Sequence, residues 1–197
     1  MATASQRPTR ERLLDAAADL LHRKGYSATG LSEVTERAKT PKGSLYFHFP
    51  GGKEQLGAEA LAASGARFRE GIQAIVKDAP DGPSAVRDLA GMLALGLSST
   101  DYQLGCPIAT TTLEAASSSP LIRDAADRAF GSWIAALQER LSADGYNDAA
   151  ANKLSIFVLS ALEGAMVLAR ATQSTAALDI ASEALADLVD HTPLEKS

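Results

Sequence analysis

Hydrophobic residues recur every three to four positions along most of the chain, with polar residues between them. The first such segment follows Thr9 and ends before Gly25, and its apolar positions are Leu13, Ala16, Ala17, Leu20 and Leu21. This spacing is that of an amphipathic α-helix, which Thr9 can cap and Gly25 can end. No stretch of several residues alternates between apolar and polar like a half-buried strand. The pattern therefore predicts an all-α protein.

Two short amphipathic segments follow with very little chain between them. The first is predicted to begin at Thr29 or Gly30 and to reach about Ala38. Thr40 and Pro41 then favour a new helix, because a hydroxyl suits the N-cap and proline suits the first turn. A brace helix followed by two short helices and a tight turn predicts a helix-turn-helix, whose second helix can enter the DNA major groove. Ordinary antiparallel helix packing would produce the same pattern.

Proline and glycine divide the rest of the chain into further helices. The expected helices are Lys53 to about Lys77, one that begins at Pro83, Ile108 to about Ala116, Pro120 to Ala143, Asn147 to Thr172 and Ser174 to Asp190. We therefore predict two domains, a three-helix head over residues 1–52 and a helical-bundle body over residues 53–197.

Composition limits the function classes. The 197 residues are 46% hydrophobic, which is enough to form a core. No apolar run approaches the ~18 residues of a membrane-spanning helix, and the N-terminus lacks the apolar stretch of a signal peptide. We therefore expect a cytoplasmic protein with no membrane partner. One cysteine, Cys106, and three scattered histidines offer no metal-ligand spacing, so we expect neither a metal nor another cofactor.

Charge is unevenly distributed along the chain. The net charge of −5 argues against a generic nucleic-acid binder. Residues 1–55 nevertheless hold nine Lys and Arg against six acidic residues, a net +3, so the rest of the chain carries −8. A basic N-terminal quarter on an acidic body is typical of a module that faces nucleic acid, although an ordinary solvated basic face would look the same.

The third predicted helix carries the residues best suited to DNA. Its first exposed positions, Lys42, Gly43 and Ser44, are cationic, tiny and hydroxylic, so the backbone can approach DNA closely. Leu45 and Phe49, four positions apart, are the expected inward anchors.

Two further residues are suited to phosphate. Tyr46 offers a phenol, and Lys53 combines an ammonium with the amides and positive dipole of the next helix N-terminus. Both would position the protein on DNA without reading the sequence.

The stretch GYSATGLSEVTERAKTPKGSLYFHFPGGKEQL resembles the DNA-binding signature of the tetracycline-repressor (TetR) family, including its glycine-aromatic turn and its KGSLYFHF recognition helix. The resemblance covers roughly residues 9–56. It implies a homodimer whose heads read the half-sites of a palindrome, and a helical body that binds an effector and forms the dimer interface. The body segment GCPIATTTLEAA, residues 105–116, further resembles the subgroup that contains lincomycin-resistance regulators.

The resemblance also implies roles for individual residues. Tyr46 and Lys53 would contact phosphates. The residues at or near the bases, or where the family approaches DNA, are Lys42, Gly43, Ser44, Phe47 and His48.

Three features depart from the family pattern. Gly30 stands where a Ser or Thr usually caps the second helix and touches phosphate, so only its backbone amide can serve there. Lys39 occupies a common glycine position in the turn, where a left-handed conformation would cost about 1 kcal/mol but would place a cation beside the groove. The pair Gly51-Gly52 is one residue longer than the commonest spacing, which leaves the reach of Lys53 open.

An effector pocket is expected among the body helices, because such pockets are mostly apolar with a few polar anchors. Glu114 and Glu163 interrupt apolar neighbourhoods and would need partners if buried; either could instead be a solvated surface acid. The apolar candidates, which could equally be plain core, are Phe68, Met92, Cys106, Thr110, Phe130, Trp133 and Phe157. Cys106 is interpreted as a structural thiol, since nothing nearby in sequence would lower its pKa for redox sensing.

Dimerisation is predicted through the last two long helices. Their apolar positions are Phe157, Ala161, Leu162, Ala165, Met166, Leu178, Ala181, Leu185 and Leu188. Two such helices from each subunit would form a four-helix interface, although the same faces could close the subunit's own core.

The sequence thus predicts a repressor that a small, mostly apolar effector releases from its operator. A helical protein-binding adaptor without DNA affinity is the second hypothesis. A small helical enzyme would have to use Cys106, His48 and Glu114 or Glu163. Because the sequence has no nucleophile elbow, phosphate loop, metal-ligand motif or nucleotide fingerprint, we do not expect an enzyme.

Overall fold

The computed structural model describes residues 7–194, and over that range it contains nine α-helices and no strand. The all-α prediction is therefore confirmed. The helices are α1 Thr9–Ala28, α2 Leu31–Arg37, α3 Lys42–His48, α4 Gly52–Asp78, α5 Gly82–Ser98, α6 Pro107–Ala115, α7 Pro120–Ala143, α8 Asp148–Thr172 and α9 Ala176–His191.

The helix boundaries follow the predicted ones closely, but two caps differ. Asn147, where the predicted helix begins, is the N-cap of α8, with its Oδ1 accepting from the amide of Ala150 at 2.9 Å. Thr9 is the first residue of α1 rather than its cap, which is Pro8. Thr40 does not cap α3, because its side chain turns inward and its Oγ1 is buried, and Pro41 takes the N-cap position.

One compact unit comprises the chain up to Ala66 together with Cys106–Ala129. In it α1 packs against α2, α3 and α6. The apolar stripe of α1 is buried as its spacing predicts. The largest buried side chains of this unit are Leu13, Leu45, Phe49, Leu61, Ile108 and Ile122.

A second compact unit comprises Arg67–Gly105 and the chain from Phe130 onward. Here α9 packs against α5 and α8, and α5 also packs against α8. Trp133 is the largest buried side chain.

The units are divided differently from the predicted domains, whose boundary lay at Lys53. α6 and the first part of α7 join the head because α6 packs on α1, and α4 and α7 each run through both units. The outermost residues of the predicted domains, 1–6 and 195–197, lie outside the described range. The sequence boundary at Lys53 stays a prediction.

Candidate DNA interface

The turn between α2 and α3 is a Schellman motif closed by Lys39. The amide of Lys39 donates to the carbonyl of Glu36 at 3.0 Å, and the amide of Thr40 donates to that of Thr35 at 2.9 Å. This motif requires a left-handed residue at its centre, and Lys39 has φ 53°. Lysine therefore holds a position that favours glycine, at a cost of about 1 kcal/mol.

The recognition helix α3 turns one face inward and leaves the other open. Leu45 and Phe49 are buried, as predicted for the anchors. The opposite face exposes Lys42 and Gly43, and a Cβ on Gly43 would meet no atom within 4 Å. Phe47 is 82% exposed, which is unusual for a large apolar side chain.

The polar groups on this open face have no partners within the described part of the chain. The ammonium groups of Lys39 and Lys42 form no hydrogen bond or ion pair there, and neither does the hydroxyl of Tyr46. Ser44 and His48 are half-buried, and the His48 ring stands edge-on to Phe47 at 5.0 Å. Two cations and a phenol are thus available to an anionic partner.

The start of α2 also differs from a capped helix. Gly30 is its N-cap residue, exposed and without a side-chain cap, so the helix offers only its amides there. Nothing lies within 4 Å of a Cβ at this position.

Lys53 is held by the protein's own atoms. Its Nζ donates to the carbonyl of Ser27 at 3.2 Å and lies 4.7 Å from the centroid of the Tyr26 ring. Partial burial lowers the pKa of Lys53, while the negative charge of Glu114 opposes that shift. Contact with a DNA phosphate therefore stays a prediction for Lys53, and its ammonium would have to leave or share these partners.

Glu114, predicted as a ligand candidate, lies on α6 and contacts the end of α1. Its Oε2 accepts from the amide of Ser27 at 2.7 Å, although the residue as a whole is exposed. Gly25 makes room for it: a Cβ there would lie 2.1 Å from the Glu114 Oε1, and the φ of Gly25 is +78°. Sequence reasoning interpreted Gly25 only as a helix stop, so its pairing with a carboxylate 89 positions later was missed.

A second contact joins α7 to the head. The Ser119 hydroxyl donates to Glu54 Oε1 at 2.5 Å and accepts from the amide of Ile122 at 3.1 Å, so it caps α7 while binding α4. Sequence reasoning interpreted this serine only as part of a break between helices.

Three predicted effector residues form an aromatic cluster in the second unit. The ring centroids of Phe68 and Trp133 are 4.5 Å apart, and those of Phe130 and Trp133 are 5.3 Å apart in an edge-on arrangement. Met92 lies beside α4, with its sulfur 3.5 Å from where a Cβ on Gly71 would lie.

The other predicted effector residues do not join this cluster. Phe157 is exposed on α8, and Glu163 is half-buried on the same helix. Cys106 caps α6, its Sγ accepting from the amide of Ala109 at 3.4 Å. Thr110 is half-buried on α6.

Most of the residues proposed for the dimer interface are buried inside the subunit. These are Leu162, Ala165, Met166, Leu178 and Leu185. Since α8, α9 and α5 pack together, these buried residues belong to the subunit's own core. The exposed large apolar residues of α8 and α9 are Ile156, Phe157, Val167, Leu168, Ile180 and Leu188, and of these Phe157 and Leu188 belong to the predicted set.

Comparison with known proteins identifies the family. Residues 13–60 match the model of bacterial regulatory proteins of the tetR family, and residues 83–184 match the C-terminal domain of LmrA/YxaF-like transcriptional regulators. The chain belongs to the TetR family of transcriptional regulators, in its LmrA/YxaF-like group.

Individual relatives agree with this assignment. The chain is 30% identical to the HTH-type transcriptional regulator LmrA of Bacillus subtilis, with 92% of this chain and 96% of the relative covered. An uncharacterised HTH-type regulator of Mycobacterium tuberculosis is 34% identical over 91% and 93% of the two chains. The crystal structure of a TetR regulator from Legionella pneumophila matches in fold, with a TM-score of 0.77, 20% identity and 93% and 96% of the chains covered. These relatives are transcriptional regulators and not enzymes.

Proposed function

We propose that the protein is a homodimeric repressor that binds a palindromic operator and is released by a small, mostly apolar effector. The observation that carries this proposal is the open face of α3, where Lys42, Tyr46 and the bare backbone of Gly43 are exposed without intramolecular partners. Arg and Lys contacts to phosphate and base edges are the usual means of binding in the major groove. Repression is supported by a relative named the transcriptional repressor DhaR, 27% identical over 87% of this chain.

The dimer would form through the exposed apolar stripes of α8 and α9. On α9, Ile180, Ala184 and Leu188 recur every four residues and are all exposed. On α8, small residues such as Gly164 separate the exposed apolar ones, so another helix could approach closely.

The composition of α8 supports the same proposal. α8 is long and apolar enough to cross a membrane by length and composition, yet only 44% of its most apolar window is buried within the subunit. A second copy of the chain would cover the remainder and form a four-helix interface with two-fold symmetry.

The effector would bind near the aromatic cluster of the second unit. Phe68 and Phe130 remain half-buried around the fully buried Trp133, which is the kind of apolar surface that a small ligand covers. α4 and α7 both continue from this unit into the head. Because Lys53 at the start of α4 donates to the Ser27 carbonyl at the end of α1, a shift of α4 would reach the base of the helix-turn-helix.

The Glu114 contact would transmit such a shift. Because Glu114 holds the amide of Ser27, a displacement of α6 would move the end of α1 and the approach to α2. DNA and effector would then weaken each other's binding by the same factor.

Variants of the open face test the proposal. On an operator obtained by selection, Lys42→Ala is expected to lower affinity about tenfold or more. Lys77→Ala, which removes an exposed cation at the other end of α4, is the matched control and should bind like the wild type. If Lys42→Ala and Tyr46→Ala leave DNA binding intact, the protein does not bind DNA through the open face of α3. If the wild type binds no duplex, the adaptor hypothesis is favoured instead.

A further inference from the structure

Beside the turn that leads into the recognition helix lies an open cleft with a volume of about 350 Å³. It lies between α1 and the end of α2, next to the turn that leads into α3. Four cations line it, Arg7, Arg12, Arg37 and Lys39, against two carboxylates, Asp15 and Asp19.

Arg12 is the least satisfied of the three arginines that line the cleft. Its two Nη atoms contact only neutral oxygens, the Lys39 carbonyl and the Thr9 hydroxyl, each at the long distance of 3.4 Å. Its Nε is buried and has no hydrogen-bond partner within residues 7–194. A guanidinium carries five N–H donors in a planar fork, so most of its capacity is unused.

The neighbouring charges leave the cleft positive. Arg7 pairs with Asp15 at 2.9 Å, and Arg37 pairs with Asp19. Lys39 has no ion pair in the described chain, so Arg12 and Lys39 together contribute the uncompensated charge.

We propose that this cleft binds a phosphate group through the guanidinium of Arg12, with Lys39 as a second cation. A tetrahedral oxyanion offers charged acceptors to the two Nη atoms, whose present neutral acceptors lie at the long distance of 3.4 Å. Lys39 lies two residues before Pro41, the N-cap of α3, so the cleft adjoins the surface that would face DNA. The phosphate could come from the operator backbone or from a free phosphorylated molecule, and the former source rests on the proposed function.

The two sources are distinguished by two measurements on the full-length protein. The first is the salt dependence of operator binding, in which each neutralised phosphate contributes about −0.9 to the slope of log K against log salt. Arg12→Gln is expected to lower affinity about fivefold and to make the negative slope shallower by about 1 per protomer. Arg12→Lys keeps a cation and should keep most of the slope. Lys39→Gly should also reduce the slope, and because it relieves the left-handed strain its folding is not compromised.

The second measurement is calorimetric titration with inorganic phosphate. If operator binding is unchanged in Arg12→Gln but wild-type protein binds inorganic phosphate and the variant does not, the site takes free phosphate. If neither measurement responds to Arg12→Gln or Lys39→Gly, the phosphate site is refuted. A wild type that binds no duplex would refute the proposed function alone, because the titration still tests the cleft.

Discussion

The carboxylate of Glu114 on α6 accepts a 2.7 Å hydrogen bond from the backbone amide of Ser27 at the end of α1. This bond joins two elements that are far apart in sequence and lie at the base of the helix-turn-helix. Glu114→Ala is expected to lower the free energy of unfolding by about 1 kcal/mol, a modest value because the residue is exposed.

Urea unfolding of Glu114→Ala and of Glu139→Ala measures this effect. Glu139 is an exposed acid on α7 without an intramolecular partner in the described chain, so its removal should change stability by less than about 0.5 kcal/mol. Equal stabilities of the two variants would show that the Ser27 bond contributes nothing.

Gly25 leaves the space that the Glu114 carboxylate occupies. Gly25→Ala would place a methyl group 2.1 Å from the Glu114 carboxylate and would force alanine to φ +78°. We expect a loss of about 2 kcal/mol or more, from left-handed strain and from displacement of Glu114.

The matched control for Gly25→Ala is Gly91→Ala. Gly91 lies on an exposed face of α5 with nothing within 4 Å of a Cβ, so alanine should stabilise the protein by about 0.5–1 kcal/mol. Thermal unfolding of both variants checks the opposite signs, and a tolerated alanine at Gly25 would contradict the tight contact.

Thr111 carries a buried hydroxyl without a partner. It lies on the buried face of α6 with Ile108 and Ala115, and its Oγ1 forms no hydrogen bond with the described residues. Thr111→Val should therefore raise the free energy of unfolding by about 1 kcal/mol, since valine has the same shape without the polar atom.

The neighbouring threonine provides the comparison. The Thr112 hydroxyl donates to the Ile108 carbonyl at 2.7 Å, so Thr112→Val should be neutral or slightly destabilising. Denaturant titrations should show that only Thr111→Val is stabilised, and a destabilised Thr111→Val would mean that its hydroxyl has a partner.

Asp81 makes stability depend on pH. It caps α5, its Oδ1 accepting from the Ser84 amide at 2.8 Å, and hydrogen bonds from Ser84 lower its pKa below the ordinary 3.8. A carboxyl group whose pKa is lower in the folded state stabilises the fold at every pH above its unfolded-state pKa. That stabilisation is lost as the pH falls through the folded-state pKa.

The Asp81→Ala variant should therefore be about 1 kcal/mol less stable than the wild type at pH 7, and that difference should shrink below about pH 3.8. Asp81→Asn keeps a capping oxygen and should remain within a few tenths of a kcal/mol at pH 7. Urea unfolding at pH 7 and pH 3 measures both differences, and a gap that grows in acid would have the wrong sign.

The proposed dimer face makes a prediction about assembly. Ile180 is 72% exposed on α9, and Ile180→Glu would place a charge in an apolar interface between two copies. We expect this variant to sediment as a monomer. Leu95→Glu alters a residue of similar exposure, 69%, on α5 and should leave the dimer intact. Two variants with the same mass in solution would refute the proposed interface.

The sequence predicted the helices well, because periodic apolar positions and breaker residues act locally. Leu45 and Phe49 are buried as their spacing required, and Lys39 is left-handed as its place in the turn suggested. The contact between Glu114 and Gly25 could not be predicted, since it depends on the packing of α6 against α1. For a related reason the sequence could not decide which of the proposed dimer residues are core: Leu162 and Leu185 are buried in the subunit and Phe157 and Leu188 are exposed, because periodicity identifies an apolar face but not what covers it.

The central claim is that a dimer reads DNA through α3. Selection of bound duplexes from a random pool at low salt, followed by sequencing, tests it most directly. Two-fold symmetry predicts an enriched palindrome whose half-sites are bound by the two heads. Enrichment of no sequence, or of a single half-site alone, would contradict it.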